Sequence, residues 1–229
     1  MVGRSANTGS FGRFMAVDPM LARLREEYET DGLVRSGVDG DPVREFDRWM
    51  RDAVGAGVFQ ANAMILATAD GRGRVSSRAV LLKGYDSRGF VFYTNLESRK
   101  AREIEANPWA SLCIVWLDLH RQIRIEGTVG AVDERDSDEY FESRPRDAQI
   151  AAAASPQSRS VADRAALDRL VGREQAKHGD GPVPRPSHWG GLRVCPQRIE
   201  FWQGRRHRLH DRIVYEREGS GWRIERLAP

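Results

Sequence analysis

Cysteine and long apolar runs are both scarce in this chain. Its two cysteines, Cys113 and Cys195, lie far apart and belong to no cluster of cysteine and histidine. That pattern argues against a disulfide framework and a structural zinc site, and it favours a cytoplasmic protein with reduced thiols. The first 20 residues contain no apolar core of signal-peptide length, and no run approaches the ~20 residues of a membrane helix. The sequence therefore predicts a soluble protein with neither a metal nor a membrane partner.

Lysine is scarce as well: Lys83, Lys100 and Lys177 are the three examples among 36 basic residues. The 33 acidic residues nearly balance the basic ones and leave a formal net charge of +3. A protein that binds the nucleic-acid backbone usually concentrates basic residues on one dense face, so we rank nucleic-acid binding as a distant alternative. A phosphate-cradling glycine loop is also lacking, because "GRGR" at 71–74 has neither the spacing nor the following helix.

The length of 229 residues and the 40% share of hydrophobic residues are sufficient for one well-packed domain. Residues 1–17 are rich in Gly, Ser and Asn, which is typical of a mobile tail. We therefore expect a tail over 1–17 and a single folded domain over 18–229.

Several helices are predicted from their start and stop signals. Asp18-Pro19 and Asp41-Pro42 each combine an N-cap residue with proline at the first helical position. Residues 98–108 begin with a Ser cap and stop before a proline, which indicates one short helix. From 133 to about 177 the pattern is helical again, with breaks at "SRPR" and "ASPQSRS".

Strand-like runs occupy most of the remaining chain. The runs at 63–69, 76–85 and 90–94 are separated by "DGRG" and "DSRG", which predicts an antiparallel meander. Further strands are expected at 109–116, 121–132, 192–203 and near the C-terminus, after a loop at 179–191. At least six strands would form a mainly antiparallel sheet closed into a barrel, with helices packed outside it. The fold class is thus mainly β with peripheral helices, an α+β protein.

One basic stretch, "RRHRLHDR" at 205–212, is unusually rich in arginine and histidine. In a strand, Arg206, Arg208, His210 and Arg212 would line one face and suit an anion. His207 would then point away from His210, which disfavours a metal site. Other short groups that mix basic residues with hydroxyls or amides, a combination that binds phosphate, are 77–83, 98–100, 143–146 and 156–160.

These pieces together closely resemble the pyridoxine/pyridoxamine 5'-phosphate oxidase family. The matching segments are "SRAVLLKGYD", "GFVFYTNLESRKAREIEANP", "RQIRIEG", "YFESRPRDAQI", "PQSR", "IEFWQGRRHRLHDRIVYER" and "IERLAP". They occur in this order from Ser77 to the last residue, and the resemblance as a whole begins at about residue 20. The resemblance implies a split antiparallel β-barrel and a homodimer with two flavin mononucleotide (FMN) sites at the subunit interface.

The resemblance also implies site residues. The expected FMN-binding residues are Arg78, Ala79, Val80, Leu81, Leu82, Lys83, Tyr93, Thr94, Arg99, Lys100, Gln122, Gln157, Ser158, Trp202 and Arg212. The expected substrate-binding residues are Arg25, Tyr28, Lys83, Tyr140, Arg144, Arg208 and His210. Of these, Lys83, Tyr140 and Arg144 would hold the substrate phosphate, and Arg25 and Tyr28 would belong to an N-terminal segment that covers the site. Arg206 has no such role and is expected to be solvated.

The implied reaction is oxidation of pyridoxamine or pyridoxine 5'-phosphate at its 4' carbon. A hydride passes to the flavin, and O2 then reoxidises the flavin and gives H2O2. Arg208 and His210 would be the catalytic pair, which orients the 4' substituent and assists the accompanying proton loss. Two alternatives remain: a related flavoenzyme with another substrate, such as a phenazine-pathway oxidase, and a flavin- or pyridoxal-phosphate-binding protein without turnover.

One position departs from the family pattern. Where "SRPRDSQ" is usual and its second serine helps to hold the substrate phosphate, this chain has Ala148 in "SRPRDAQ". A hydrogen bond to a charged group is worth ~1.5–3 kcal/mol, so its loss should raise the KM for phosphorylated substrate rather than abolish activity.

Overall fold

The computed structural model describes residues 27–229. The helix predicted at Asp18-Pro19 and the tail predicted over 1–17 lie outside the described residues, as does Arg25. Within 27–229, no helix is both long enough and apolar enough to cross a membrane.

Five α-helices occur in the described part of the chain. Their bounds are α1 Pro42–Gly55, α2 Arg99–Ala106, α3 Glu134–Glu142, α4 Arg146–Ala154 and α5 Arg164–His178. The predicted start at Asp41 is confirmed, since its carboxylate accepts a hydrogen bond from the backbone N–H of Val43 at 2.8 Å. Ser98 precedes α2 as predicted, but its hydroxyl does not cap the helix and instead accepts a hydrogen bond from the Lys100 ammonium.

Nine strands form the sheet within residues 27–229. They are β1 Ala63–Ala69, β2 Val75–Leu81, β3 Gly84–Asp86, β4 Gly89–Asn95, β5 Trp109–Trp116, β6 Arg121–Ala131, β7 Trp189–Gln203, β8 Asp211–Glu218 and β9 Gly221–Leu227. Every pairing between them is antiparallel. The order is β2-β1-β5-β6-β7-β4-β3, with β8 and β9 continuing from β7. The predicted split antiparallel barrel with helices outside it is confirmed.

The first four strands are not the continuous meander that the sequence suggested. The run predicted as one strand over 76–85 is broken at Leu82 and Lys83 into β2 and β3. The β1–β2 and β3–β4 hairpins then lie at opposite ends of the strand order, because β5, β6 and β7 come between them. Turn signals predicted each hairpin correctly, but they contain no information on how hairpins are arranged relative to each other.

Strand β7 organises the sheet because it pairs with β6 from Leu192 to Gln203 and also pairs with two other strands. Its first half pairs with β4, from Trp189 to Val194, and its second half pairs with β8, from Arg198 to Gln203. A bulge interrupts its pairing with β6 at Gly127, where an added Cβ would lie 2.0 Å from the carbonyl oxygen of Cys195. A side chain at that position would therefore push the two strands apart.

The main core lies between the inner face of the sheet and α1. Phe46 and Trp49 of α1 are fully buried and pack edge to face against Phe90 and Phe201. A second, smaller core holds α3 and α4 against the sheet through Phe141, Ile150, Val183 and Trp189. The main core also includes Ile104 of α2, the helix that bears Arg99, Lys100 and Glu103.

The stretch at 205–212 is not the strand expected from its alternation. Arg206–Arg208 forms a 3₁₀ turn in which His207 and Arg208 have φ angles of 58° and 59°, and β8 begins only at Asp211. The stretch is the connection between β7 and β8, closed by the pair of Gln203 and Asp211. The predicted row on one strand face is therefore wrong.

Candidate active site

The larger of two neighbouring cavities has a volume of about 780 Å³ and lies between β2, β4, the start of α2 and the loop after α4. Many of the residues expected to bind FMN line it: Arg78, Ala79, Val80, Leu81, Tyr93, Thr94, Arg99, Lys100, Gln157 and Ser158. Segments that are remote in sequence thus converge on one cavity. The structure brings together what the sequence showed only as separate basic groups.

Three cations that line this cavity, Arg78, Arg99 and Lys100, form what we call the anion pocket together with Glu103, a carboxylate behind them that pairs with both arginines. The Lys100 ammonium is only 8% exposed and donates to Thr94 Oγ1 at 2.9 Å and to Gln157 Oε1 at 2.8 Å. Its hydrogen-bond acceptors are therefore neutral oxygens. A buried ammonium group that lacks a carboxylate in direct contact is a suitable place for an anionic ligand.

Glu103 is the centre of the anion pocket although no motif pointed to it. Its Oε2 atom accepts hydrogen bonds from Thr68 at 2.5 Å, Ser76 at 2.6 Å and Arg78 at 3.1 Å. Its Oε1 atom accepts one from Arg99 Nε at 2.7 Å. The carboxylate therefore connects β1, β2 and α2.

Burial shifts the pKa values of Lys100 and Glu103 in opposite directions, since it disfavours the charged form of each. Burial, reinforced by the charge of Arg78, lowers the pKa of Lys100 to about 8, although the charge of Glu103 opposes this shift. Burial alone would raise the pKa of Glu103, but its hydrogen bonds from Ser76, Thr68, Arg99 and Arg78 outweigh burial and lower it to about 2. At neutral pH Glu103 is ionised and Lys100 is mostly protonated.

Arg144 supplies a fourth cation to the same cavity. Its guanidinium group packs over Trp189, with the Cζ atom 4.9 Å from the ring centroid, and its Nη1 atom is buried without a hydrogen-bond partner. Burial lowers the pKa of Arg144. A buried guanidinium nitrogen without an acceptor is costly, and an anionic ligand in the cavity would satisfy it.

The smaller cavity, of about 450 Å³, is lined by Lys83 and Tyr140. Tyr93 lines both cavities and stacks on Tyr140 with ring centroids 4.0 Å apart. The Lys83 ammonium lies 5.9 Å from the centroid of the Tyr140 ring. Lys83 and Tyr140 therefore line the smaller cavity, whereas Arg144 lines the larger one, and Tyr93 is common to both.

The run expected to lie along the flavin from Arg78 to Lys83 also divides. Arg78 to Leu81 line the larger cavity, whereas Leu82 is 5% exposed and belongs to the main core. Lys83 follows the end of β2 and lines the smaller cavity. The strand ends at Leu81, so the residues after it no longer follow the alternation of the strand.

A second group of expected site residues, which we call the C-terminal cluster, consists of Tyr28, Trp202, Arg208 and His210. The His210 ring lies 4.6 Å from the Trp202 ring and 5.8 Å from the Tyr28 ring, measured between centroids. Gly204 makes room for Tyr28, because a Cβ there would come within 2.7 Å of the tyrosine ring. Residues from the start of the described chain and from the β7–β8 connection thus meet.

The protonation state of His210 follows from its contacts. Its Nδ1 atom accepts a hydrogen bond from the backbone N–H of Arg205 at 3.1 Å. Burial, with a further contribution from the charge of Arg208, lowers the pKa of His210. The neutral ring therefore carries its proton on Nε2, which makes Nε2 a hydrogen-bond donor.

Gln122, Trp202 and Arg212 form a row across β6, β7 and β8, because Trp202 pairs with Gln122 on one side and Arg212 on the other. The Arg212 guanidinium donates to both carboxylate oxygens of Glu200, at 2.8 and 3.1 Å, and to the carbonyl oxygen of Ala228 at 2.9 Å. Arg212 is therefore fixed by the protein itself. This row and the C-terminal cluster lie outside the larger cavity.

Sequence reasoning missed four residues that shape these sites. Glu103 and Glu200 are carboxylates that hold the arginines, Trp189 supports Arg144, and His120 stacks on Tyr28 with centroids 4.4 Å apart. Acidic residues are common on helix and strand surfaces, so neither glutamate gave a signal. Arg206, expected to be solvated, is 59% exposed but forms an ion pair with Glu29.

Comparison with known proteins gives a consistent result. Residues 50–176 match a family model described as pyridoxamine 5'-phosphate oxidase, and residues 189–229 match one described as pyridoxine 5'-phosphate oxidase C-terminal dimerisation region. A pyridoxine/pyridoxamine 5'-phosphate oxidase of Rubrobacter xylanophilus is 54% identical over 91% of this chain and 96% of its own length. One of Paraburkholderia phymatum is 52% identical over 91% of this chain and 99% of its own length.

A solved structure is also similar. The crystal structure of PhzG from Burkholderia lata, in complex with tetrahydrophenazine-1-carboxylic acid, is 34% identical and superimposes with a TM-score of 0.82. The match covers 87% of this chain and 98% of that chain. An FMN-binding protein of Nostoc punctiforme, 19% identical over 82% of this chain and 97% of its own, has a TM-score of 0.66 and supports the fold alone.

We predict that the anion pocket loses affinity as pH rises through about 8, the pKa of Lys100. Below that pH the ammonium is charged; above it, the Kd for a phosphate monoester should rise, by up to about tenfold per pH unit, because the ligand itself is already dianionic above its second pKa of about 6. Titration calorimetry with phenyl phosphate between pH 7 and 9.5 measures this. Lys100→Arg, which stays charged, should flatten the profile, and a wild-type Kd that is constant to pH 9.5 would contradict the prediction.

Proposed function

The chain belongs to the pyridoxine/pyridoxamine 5'-phosphate oxidase family, and on this premise we propose that it oxidises pyridoxamine 5'-phosphate and pyridoxine 5'-phosphate to pyridoxal 5'-phosphate. The cofactor is FMN, and O2 is the electron acceptor and yields H2O2. Pyridoxine phosphate needs only O2, whereas pyridoxamine phosphate also consumes water and releases ammonia. Such an enzyme would act in the cytoplasm in the synthesis and salvage of vitamin B6.

The observation that carries this proposal is the positive charge of the larger cavity. Arg78, Arg99 and Lys100 contribute three cations and Glu103 one anion, so the anion pocket bears two net positive charges at neutral pH. A phosphate monoester carries a charge of about −1.5 to −2 at pH 7. Its oxygens would also accept hydrogen bonds from the buried Lys100 ammonium. The pocket therefore fits the phosphate group of FMN.

Strand geometry supports a homodimer with FMN sites between the subunits. Trp189 of the larger cavity and Trp202 of the C-terminal cluster are at opposite ends of β7. A strand rises ~3.3 Å per residue, so roughly 40 Å of strand separates them. One flavin cannot contact both groups in the same chain. We infer that the C-terminal cluster and the row of Gln122, Trp202 and Arg212 complete the site of the partner subunit.

The backbone of the β7–β8 connection agrees with this arrangement. His207 and Arg208 both have positive φ angles, which are unfavourable for residues with side chains and cost of order 1–3 kcal/mol each. Leu209, an apolar residue, is 68% exposed next to them. A strained turn that presents an arginine and a leucine to the outside is typical of a segment that contacts a ligand or a second chain.

The chemistry that FMN supplies when bound is acceptance of the hydride and reduction of O2. The protein positions the substrate for this transfer. His210 donates from Nε2, and with Arg208 beside it would hold the 4' substituent of the substrate in place. Because Nδ1 is already engaged and Nε2 carries the proton, His210 can assist proton loss only after the Arg205 hydrogen bond breaks. Orientation is therefore its main role.

The substrate phosphate would be bound by Lys83, Tyr140 and Arg144. Lys83 and Tyr140 line the smaller cavity and Arg144 the larger, and Tyr93, which stacks on Tyr140, lines both cavities. Tyr28, together with Arg25, would cover the bound ring and exclude water.

A phenazine-type oxidase is the second candidate, favoured by the structural similarity to PhzG. The two candidates differ in what the substrate carries. Retention of Lys83, Tyr140 and Arg144 favours a phosphorylated substrate over a phenazine carboxylate, because these residues are the expected phosphate ligands.

An aerobic assay of the purified protein tests the proposal. Incubation with pyridoxamine 5'-phosphate should give pyridoxal 5'-phosphate and H2O2 in equal amounts. Bound FMN without turnover of either vitamin B6 phosphate would overturn the proposed substrate. Turnover of a reduced phenazine carboxylate in the same preparation would then identify the second candidate.

We predict that Arg208→Ala lowers kcat/KM for pyridoxamine 5'-phosphate at least ~10-fold, equivalent to about 1.4 kcal/mol of transition-state stabilisation. The reason is that the turn presents Arg208 beside His210, where the substrate ring would bind. Arg206→Ala is the matched control in the same turn and should change kcat/KM less than about twofold, since an exposed ion pair contributes little. Equal effects of both substitutions would remove Arg208 from the mechanism.

A second prediction concerns Ala148, in the first turn of α4. Ala148→Ser should lower the KM for phosphorylated substrate, because a hydroxyl donor to the phosphate contributes at most ~1.5–3 kcal/mol. Steady-state kinetics with pyridoxine 5'-phosphate measure the change. Ala154→Ser, at the end of the same helix, is the control for the serine substitution itself; an unchanged KM in Ala148→Ser would refute the idea.

A further inference from the structure

Attraction of an anionic ligand does not explain the position of Glu103. It is a carboxylate, 5% exposed, beside a pocket that would bind an anion. By charge alone it repels that anion. The presence of Glu103 inside this cluster of cations therefore calls for a role other than attraction of the ligand.

The contacts of Glu103 divide between its two oxygens. Oε2 accepts from Thr68, Ser76 and Arg78, while Oε1 accepts from Arg99 alone. Arg78 is in turn held by a hydrogen bond from its Nη1 atom to Thr68 Oγ1 at 2.6 Å. One carboxylate thus fixes two guanidinium groups that come from a strand and a helix.

Arg99 depends on this contact more than Arg78 does. The Arg99 side chain is 62% exposed, and an exposed arginine loses considerable rotamer freedom when a ligand immobilises it. Its hydrogen bond to Glu103 confines the guanidinium before any ligand arrives. Preorganisation of this kind increases affinity by reducing the entropy lost on binding.

We propose that Glu103 is the positioning residue of the FMN phosphate site, which holds Arg78 and Arg99 in a binding geometry and limits the pocket to two positive charges. The inference rests on the proposed function, because it takes FMN as the ligand. It assigns to Glu103 selectivity for a phosphorylated flavin over an unphosphorylated one.

The test compares two ligands that share one ring system. Kd values for FMN and for riboflavin, which lacks the phosphate, are measured by flavin fluorescence on the full-length chain after removal of bound flavin. In Glu103→Gln the amide N–H group faces either Arg99 or the donors around Oε2, and it releases at least one arginine. We expect the Kd for FMN to rise at least ~10-fold while that for riboflavin changes less than about twofold, because charge-assisted hydrogen bonds reach only the phosphate.

Glu105→Gln is the matched control, since Glu105 is exposed on the same helix. It should leave both Kd values unchanged. Thr68→Val provides a milder variant in case Glu103→Gln does not fold. It removes one donor to Glu103 and one acceptor of Arg78, and Thr68 does not line the cavity. We expect a rise of only about threefold in the Kd for FMN alone, because Arg78 and Arg99 keep their direct hydrogen bonds to Glu103.

Three outcomes would overturn the inference. Tighter FMN binding by Glu103→Gln would mean that charge outweighs positioning. An equal loss of FMN and riboflavin affinity would mean that Glu103 only supports the fold. An unchanged ratio of the two Kd values would mean that Arg78 and Arg99 bind the phosphate equally well without the Glu103 carboxylate. Failure of the wild-type protein to prefer FMN over riboflavin would instead count against the proposed function, so the two failures are distinguishable.

Discussion

The burial of the Lys100 ammonium is the constraint on which the larger cavity depends. A charge with little access to water must be satisfied by nearby polar atoms. Thr94 of β4, Ser98 before α2 and Gln157 in the loop after α4 provide them. The stretch from β4 to α2 and the loop after α4, 57 residues away in the sequence, are thereby held together at one point. Lys100 also supplies one of the positive charges that line the larger cavity.

Strand β7 extends this local arrangement to the whole molecule. Its early residues pair with β4, which carries Thr94, and its late residues pair with β8, which follows the β7–β8 connection. The two ends therefore bear different functional groups. A strand of this length keeps the two groups apart, and this separation supports the proposal that one site is built from two chains.

Much of this could be read from the sequence because local patterns determine local structure. Asp41-Pro42 predicted the start of α1, and the turn signals predicted the β1–β2 and β3–β4 hairpins correctly. The alternation of basic residues at 205–212 predicted a strand face wrongly, because side chains in a connection between strands do not follow a two-residue period. Glu103 was missed because its importance comes from partners on β1 and β2, about 25 to 35 residues away in the sequence.

The separation of the two groups along β7 also has a consequence for mixtures of defective chains. If each site takes its anion pocket from one subunit and its C-terminal cluster from the other, a chain damaged only in the pocket still has an intact cluster to offer. Paired with a chain damaged only in the cluster, it would form a heterodimer with one fully intact site and one doubly defective site. Two inactive alleles of this protein would then complement each other in the same cell.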